Sequence, residues 1–193
     1  VALRTLAFND QVAFPWLAPA GFQRGLVQNA TSVGYVDPAT GEYVPVTLNE
    51  GQRDTLYNNK VNPIAQFPGR GLAVFGQKTL NPNASALDRI NVARLVVYIR
   101  ERLDDIVKPF LFEPNDAITR NNAKDVVDSL LGNLVIQRGL FDFVTVCDGT
   151  NNTPARIDRN ELYIDIAIQP VKAVEFIYIP IRIQNTLGTS GSS

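Results

Sequence analysis

Histidine is absent from all 193 residues, which removes the usual general base near neutral pH and any Ser–His or Cys–His catalytic pair. A single cysteine, Cys147, allows neither an internal disulfide nor a cysteine zinc cage. Methionine is also missing, position 1 included, so the chain is expected to be a piece of a longer translation product. No run of about 18 apolar residues occurs, and the opening VALRTLAFND lacks the basic region and long apolar core of a secretory signal. Charge of either sign is not in excess: 18 basic residues stand against 19 acidic ones, a net of -1. Such a balance supplies no whole-chain field for nucleic acid or an anionic membrane surface.

What is present suits a folded body. Hydrophobic residues make up 45% and charged residues 19%, and the length fits one domain with a sizeable core. The stretch Gly69–Phe112 organises the rest. Leu72-Ala73-Val74-Phe75 reads as a short strand that ends at Gly76, and a polar linker with Pro82 follows. Apolar residues then recur at Val92, Leu95, Val96, Ile99, Leu103, Ile106, Val107 and Phe110, gaps of three and four that place them on one helix face. Arg89, Arg94, Arg100, Glu101, Asp104, Asp105 and Lys108 occupy the other face. Ser85 or Asp88 can cap the start, and Pro109 ends the helix.

Before this core, Val1–Leu6 reads as an extended lead-in. Phe8–Gly25 carries Phe8, Phe14, Trp16 and Phe22 among Pro15, Pro19 and Gly21, a composition that favours a folded-back, irregular path. A hairpin turn is expected at Asp37–Gly41, and a short helix over Thr47–Asn59 capped by Thr47 or Asn49. After the long helix, Asn115 or Asp116 can cap a second one, roughly Ala117–Gln137, with Gly139 at its end. Three alternating stretches follow. Leu140–Cys147 sets Phe141, Phe143, Thr145 and Cys147 against Asp142, Val144 and Val146. Leu162–Ile168 sets Leu162, Ile164, Ile166 and Ile168 against Tyr163, Asp165 and Ala167. Val174–Ile183 sets Phe176, Tyr178, Pro180 and Arg182 against Ile177, Ile179, Ile181 and Ile183, and Pro180 marks it as an edge strand or bulge.

The expected architecture is therefore α+β: a mainly antiparallel or mixed β-sheet flanked on one face by two long helices, about 88–108 and 116–137, with C-terminal strands about 140–147, 162–168 and 174–183. Residues 1–185 read as one domain whose irregular aromatic and proline-rich N-terminal segment covers 1–66, and 186–193 as a flexible polar tail.

Candidate chemistry is sparse. Gly69-Arg70-Gly71 precedes a strand and lacks the rest of a dinucleotide fingerprint, and no Walker-type lysine loop occurs. Asp104-Asp105 and Asp125 with Asp128 read as solvated helix faces. Asp148, Asp158 and Glu161 share a polar loop without EF-hand spacing. Three Asn-X-Ser/Thr matches, at Asn29, Asn83 and Asn151, read as chance. No catalytic residue, cofactor-binding residue or metal ligand is assigned, and no cofactor is expected. The remaining signal is the alternating C-terminal segment, because an unprotected edge recruits strands from other chains.

Several blocks carry a resemblance. VFGQKT at 74–79, DRINVARL at 88–95, FEPN at 112–115, TR at 119–120, VCDGTNNTP at 146–154, IDRNEL at 157–162 and IQP at 168–170 resemble the C-terminal domain of the contractile tail sheath protein of myovirus bacteriophages. AFPWLAPAGFQRG at 13–25 and EGQRDTLYNNKVNPI at 50–64 are similar to the same family. The resemblance implies a structural subunit and not an enzyme. It would polymerise as stacked hexameric rings around a tail tube and contract to drive the tube through the host envelope for genome ejection. Implied partners are other sheath subunits, the tail tube protein, and baseplate and tail terminator proteins, with no direct nucleic acid and no membrane. The implied location is the virion tail, assembled in the host bacterial cytoplasm. Strand addition between neighbours would keep the mesh joined while rings move. Subunit-interface candidates are Phe176, Tyr178, Ile179, Pro180 and Arg182. Tube- or neighbour-contact candidates are Arg89, Arg94 and Arg100. The competing reading is a non-catalytic carbohydrate- or peptide-binding module that uses the aromatics of Phe14–Phe22; burial of those aromatics would speak for the sheath.

Overall fold

A computed structural model describes residues 1–83 and 85–180. In chain order it holds α1 (Ala2–Val12), α2 (Gly21–Arg24), β1 (Gly34–Val36), β2 (Tyr43–Pro45), α3 (Glu50–Asn58), β3 (Ile64–Phe67), β4 (Gly71–Val74), α4 (Ile90–Val107), α5 (Ala117–Ile136), β5 (Leu140–Val146), α6 (Pro154–Ile157) and β6 (Asp165–Pro170). Single 3-10 turns at Ala86–Asp88 and Lys108–Phe110 flank α4.

The two long helices form where the periodicity placed them. Ser85 caps the turn ahead of α4 by accepting from the Leu87 amide. Pro109 cannot donate an i→i−4 bond, and the α-helix stops at Val107. Asp116 caps α5, its carboxylate accepting the Thr119 amide at 2.8 Å. Val92, Leu95 and Ile99 of α4 and Ala123, Val127, Leu131 and Leu134 of α5 are buried. Leu95, Ile99, Val127, Leu131 and Leu134 enclose Trp16 and Leu140, with Phe143, Ile164, Ile166 and Ile168 closing the core from the strand side. Truncating any of these leucines to alanine leaves a cavity worth about 2–5 kcal/mol.

The strands pair as three separate antiparallel hairpins, β1–β2, β3–β4 and β5–β6, in place of one continuous sheet. Three other expectations are corrected. Val1–Leu6 is helical, not extended: the first proline lies at Pro15, so nothing interrupts α1, which buries Thr5 and Asn9 one turn apart. The middle C-terminal strand starts at Asp165 and not Leu162, because Asn151 and Asn152 side chains take the Tyr163 amide and carbonyl that a ladder would need. The strand expected over 174–183 finds no ladder partner among the described residues for 174–180, while 181–183 and the polar tail at 186–193 lie outside them. Phe141 also leaves the face assigned to it. A register shift between Leu140 and Asp142 bulges it outward, and it is exposed while Phe143 and Thr145 keep the inner face.

Two short elements follow their local chemistry closely. Asn49 and Gln52 form a reciprocal capping box at the start of α3, with bonds of 2.9 and 3.0 Å. At the β1–β2 turn the Asp37 carboxylate accepts the Ala39 amide, and Gly41 adopts φ 74°, a left-handed value that favours glycine.

Candidate assembly surface

The aromatics of the N-terminal segment are structural anchors. Trp16 is 4% exposed and donates its Nε1–H to the Gln137 carbonyl at 3.1 Å. Phe14 stacks on it with ring centroids 4.8 Å apart, and Tyr98 meets it edge-on at 5.1 Å. Phe22 packs against Phe67 and Phe75, with Arg70 over its ring. Trp16 and Phe22 thus serve separate clusters.

The C-terminal segment behaves differently on either side of Glu175. Val171, Ala173 and Glu175 are half-buried while Lys172 and Val174 are exposed, an alternation that matches one side of an extended chain lying on the body. The Val171 amide donates to the Gly139 carbonyl at 3.1 Å. From Phe176 to Pro180 every residue is exposed, and Phe176 and Tyr178 show 64% and 87% of their surface. Large apolar side chains so placed on one strand-like segment are an unsatisfied surface, not a solvated loop.

Glu175 itself is the last residue held. Its carboxylate receives two bonds from Arg89, Nε at 2.6 Å and Nη2 at 3.0 Å, and a third from Gln77 Nε2 at 3.1 Å. Asp88 lies 2.9 Å from Arg89 Nη1, off the hydrogen-bonding angle. Partial burial works to raise the Glu175 pKa, but the bonds from Arg89 and Gln77, with the Tyr57 phenol nearby, outweigh it and the carboxyl sits below its ordinary value. Burial and the nearby carboxylate push the Tyr57 phenol upward, so it stays neutral. Nothing in the periodicity flagged Glu175; the available signal was one acid inside the apolar run AVEFIYIPI.

The candidate cations separate into two kinds. Arg89 is committed to Glu175, and Arg94 to Asp10 of α1 through Nη2 at 2.5 and 2.6 Å. Arg100 is exposed on α4 and makes no ion pair among the described residues. Phe176, Tyr178, Ile179 and Pro180 share the exposed segment, whereas Arg182 lies outside the described residues.

The β5–β6 hairpin has open edges. Each strand pairs only with the other among the described residues. Its inner face rests on the core through Ile166 and Ile168, and Phe141 and Val144 are exposed. The loop that shapes it is closed by side-chain amides: Asn151 Nδ2 donates to the Val146 carbonyl at 2.7 Å and to Asp165 at 2.8 Å, and Asn152 binds both backbone groups of Tyr163. Asn151 is therefore consumed internally. Cys147 is buried, and burial pushes its thiol pKa up.

Comparison with known proteins identifies the architecture. The family described as phage tail sheath C-terminal domain matches residues 83–184. The tail sheath protein of Vibrio phage KVP40 is 40% identical over 171 residues, covering 89% of this chain and 24% of that protein. The tail sheath protein of Enterobacteria phage T4 is 34% identical over 172 residues, again covering 89% and 24%. A chain from the cryo-EM structure of the anti-feeding prophage helical sheath in its contracted state superposes with a TM-score of 0.74 at 24% identity, covering 90% of this chain and 47% of that one. The chain spans about a quarter of the length of the curated relatives it matches.

Proposed function

The chain belongs to the phage tail sheath C-terminal domain family, and from that membership we propose that it is the strand-exchanging domain of a contractile tail sheath subunit. In this reading the subunits polymerise around a tail tube as stacked hexameric rings, and contraction drives the tube through the host envelope for genome ejection. The tail tube, baseplate and tail terminator proteins are its other partners. The carrying observation is a mismatch within one chain. Among the described residues, 174–180 have strand alternation and exposed apolar side chains but no ladder partner, while β5 and β6 each pair only with the other. A segment without a ladder and a ladder without a segment are satisfied together when neighbouring copies exchange strands. Main-chain bonds made this way persist while subunits pivot, because their number does not depend on the angle between ring planes. Trp16 is buried and Phe22 packs in a separate cluster, which leaves Phe14, 43% exposed, as the one open ring of Phe14–Phe22 and speaks against a shared aromatic platform for a carbohydrate- or peptide-binding module.

Phe176, Tyr178, Ile179, Pro180 and Arg182 are the interface candidates on this reading. Arg100 is the best placed of the three cations for a tube or neighbour contact, since Arg89 and Arg94 are paired inside the chain. The test uses the full-length parent protein, concentrated alone and with purified tail tubes, under negative-stain electron microscopy. Striated hollow cylinders are expected from the wild type and their loss from I179K. Dispersed monomers from the wild type under all conditions, or intact cylinders from I179K, would overturn the reading.

A further inference from the structure

We propose that Glu175 is the latch of the C-terminal arm: its clasp by Arg89 and Gln77 fixes the point and direction at which the exchanged strand leaves the domain. The proposal rests on the strand-exchange reading above and adds the residue that positions the arm. Three observations meet at this side chain. Alternating burial along 171–175 stops at Glu175, and every residue from Phe176 to Pro180 is exposed, so the boundary between body and arm falls here. The carboxylate is 17% exposed and takes a two-pronged bond from one guanidinium, a geometry that fixes orientation as well as position. The residues that hold it come from rigid places: Arg89 is the N-cap of α4, and Gln77 is 3% exposed and follows β4.

Mechanically this placement matters. A strand donated to a neighbour pulls on its own root, and a root held only by backbone contacts would let the arm peel from the body. The Val171–Gly139 bond is the nearest backbone tether, four residues earlier. Glu175 moves the pivot to the edge of the body and leads load into the start of α4, whose buried face carries Leu95 and Ile99 into the core. Other charged groups near the clasp are Asp88, beside Arg89; Glu50, Arg53 and Asp54 on α3, which line the groove under residues 173–178; and Lys172 beside the adjoining groove. None of these pairs with Glu175, so the assignment falls on Arg89 and Gln77.

The experiment places nitroxide labels at Y178C and D54C of the full-length protein, with other accessible cysteines replaced, and reads their distance distribution in the unassembled subunit. With Glu175 present a single narrow peak is expected. E175A and the isosteric E175Q should both lose it, and the swap R89E with E175R should recover it. Thermal melts followed by Trp16 fluorescence show that each variant retains its core. A narrow peak kept in E175A and E175Q would overturn the latch, as would a swap that folds without recovering the peak. Sheath assembly on tail tubes, scored in parallel, separates the two readings. If deleting 176–180 leaves assembly intact, strand exchange by this arm is wrong. If that deletion abolishes assembly while E175A assembles as wild type, the arm stands and the latch falls.

Discussion

Asn152 is the side chain on which the shape of the β5–β6 edge most depends, and replacing it tests the structural reading directly. It is 2% exposed, accepts the Tyr163 amide at 2.7 Å, and donates to the Tyr163 carbonyl at 2.9 Å and to Asn151 Oδ1 at 2.8 Å. The side-chain amide thus acts as a one-residue strand, closing the ladder two positions before Asp165. In N152A the Tyr163 amide loses its acceptor, while the Tyr163 carbonyl keeps the 3.2 Å bond from Asn151. One buried orphaned donor plus two lost neutral bonds amounts to about 2–4 kcal/mol. For a chain of this size that lowers Tm by roughly 5–15 °C. Urea denaturation is the appropriate assay: the midpoint should fall with the slope unchanged, since the surface exposed on unfolding is nearly the same. N152D supplies a sharper control. Its carboxylate still accepts from Tyr163 but faces two acceptors, so it should be destabilised at neutral pH and partly recover on acidification, when the acid regains a donor. A loss under about 0.5 kcal/mol in N152A, within the range of ordinary surface substitutions, would refute the argument.

Other outcomes follow from individual contacts. G139A should cost about 1–3 kcal/mol by overpacking, because a Cβ there would lie 3.1 Å from Trp16 Nε1 and 3.3 Å from Leu95 Cδ1; a neutral equilibrium melt would show that this junction can relax. The Glu175 carboxyl has a folded pKa below its unfolded value of 4.5, so its contribution is present above that value and is lost as pH falls through the folded one; the stability gap between wild type and E175Q should be flat near neutrality and shrink below pH 4.5, and a gap that widens on acidification contradicts the clasp. Cys147 should be nearly inert to a thiol reagent in the native protein and react fully in denaturant, since burial both shields the sulfur and disfavours its thiolate; native labelling at the denatured rate would contradict its placement. Reversing Arg100 should leave the melt of the isolated chain unchanged, whereas R94E should lower it by about 0–1 kcal/mol or slightly more by setting a second acid against Asp10; equal effects would remove the distinction between the two cations.

Much of the body was legible because its signals are local. The 3.6-residue periodicity of α4 and α5, the Asp116 and Asn49 caps and the stop at Pro109 depend on residues a turn apart. What escaped depends on partners distant in sequence. α1 has no strong apolar face, and its anchoring pair Thr5 and Asn9 is polar, so hydrophobic periodicity could not find it. The late start of β6 is set by Asn152, which binds Tyr163 eleven residues later through bonds that look like ordinary loop composition. Phe141 left its expected face through a bulge, which period-two counting cannot register. Arg89 and Arg94 read as one solvated face with Arg100 until Glu175 and Asp10 were placed beside them.

The most informative disagreement is at 174–180, where the alternation is clean and the strand is not formed. Strand alternation records what a segment can bury on each side, and it is silent about which chain supplies the ladder. A segment selected only to be a surface loop would not keep Phe176, Ile177, Tyr178 and Ile179 in solvent, where each exposes most of its area. Burying four such side chains is worth about 1.5–3 kcal/mol apiece, which is of the same size as the roughly 1–2 kcal/mol per residue that ordering the segment removes, so the main-chain ladder bonds decide the balance. The same four residues on a chain that never met a second copy would be an aggregation hazard. On the proposed reading, the unmet pattern, the β5–β6 edges left open among the described residues and a root clasped at Glu175 are one device seen from three sides: a strand held ready at a fixed point for a ladder that another subunit would provide.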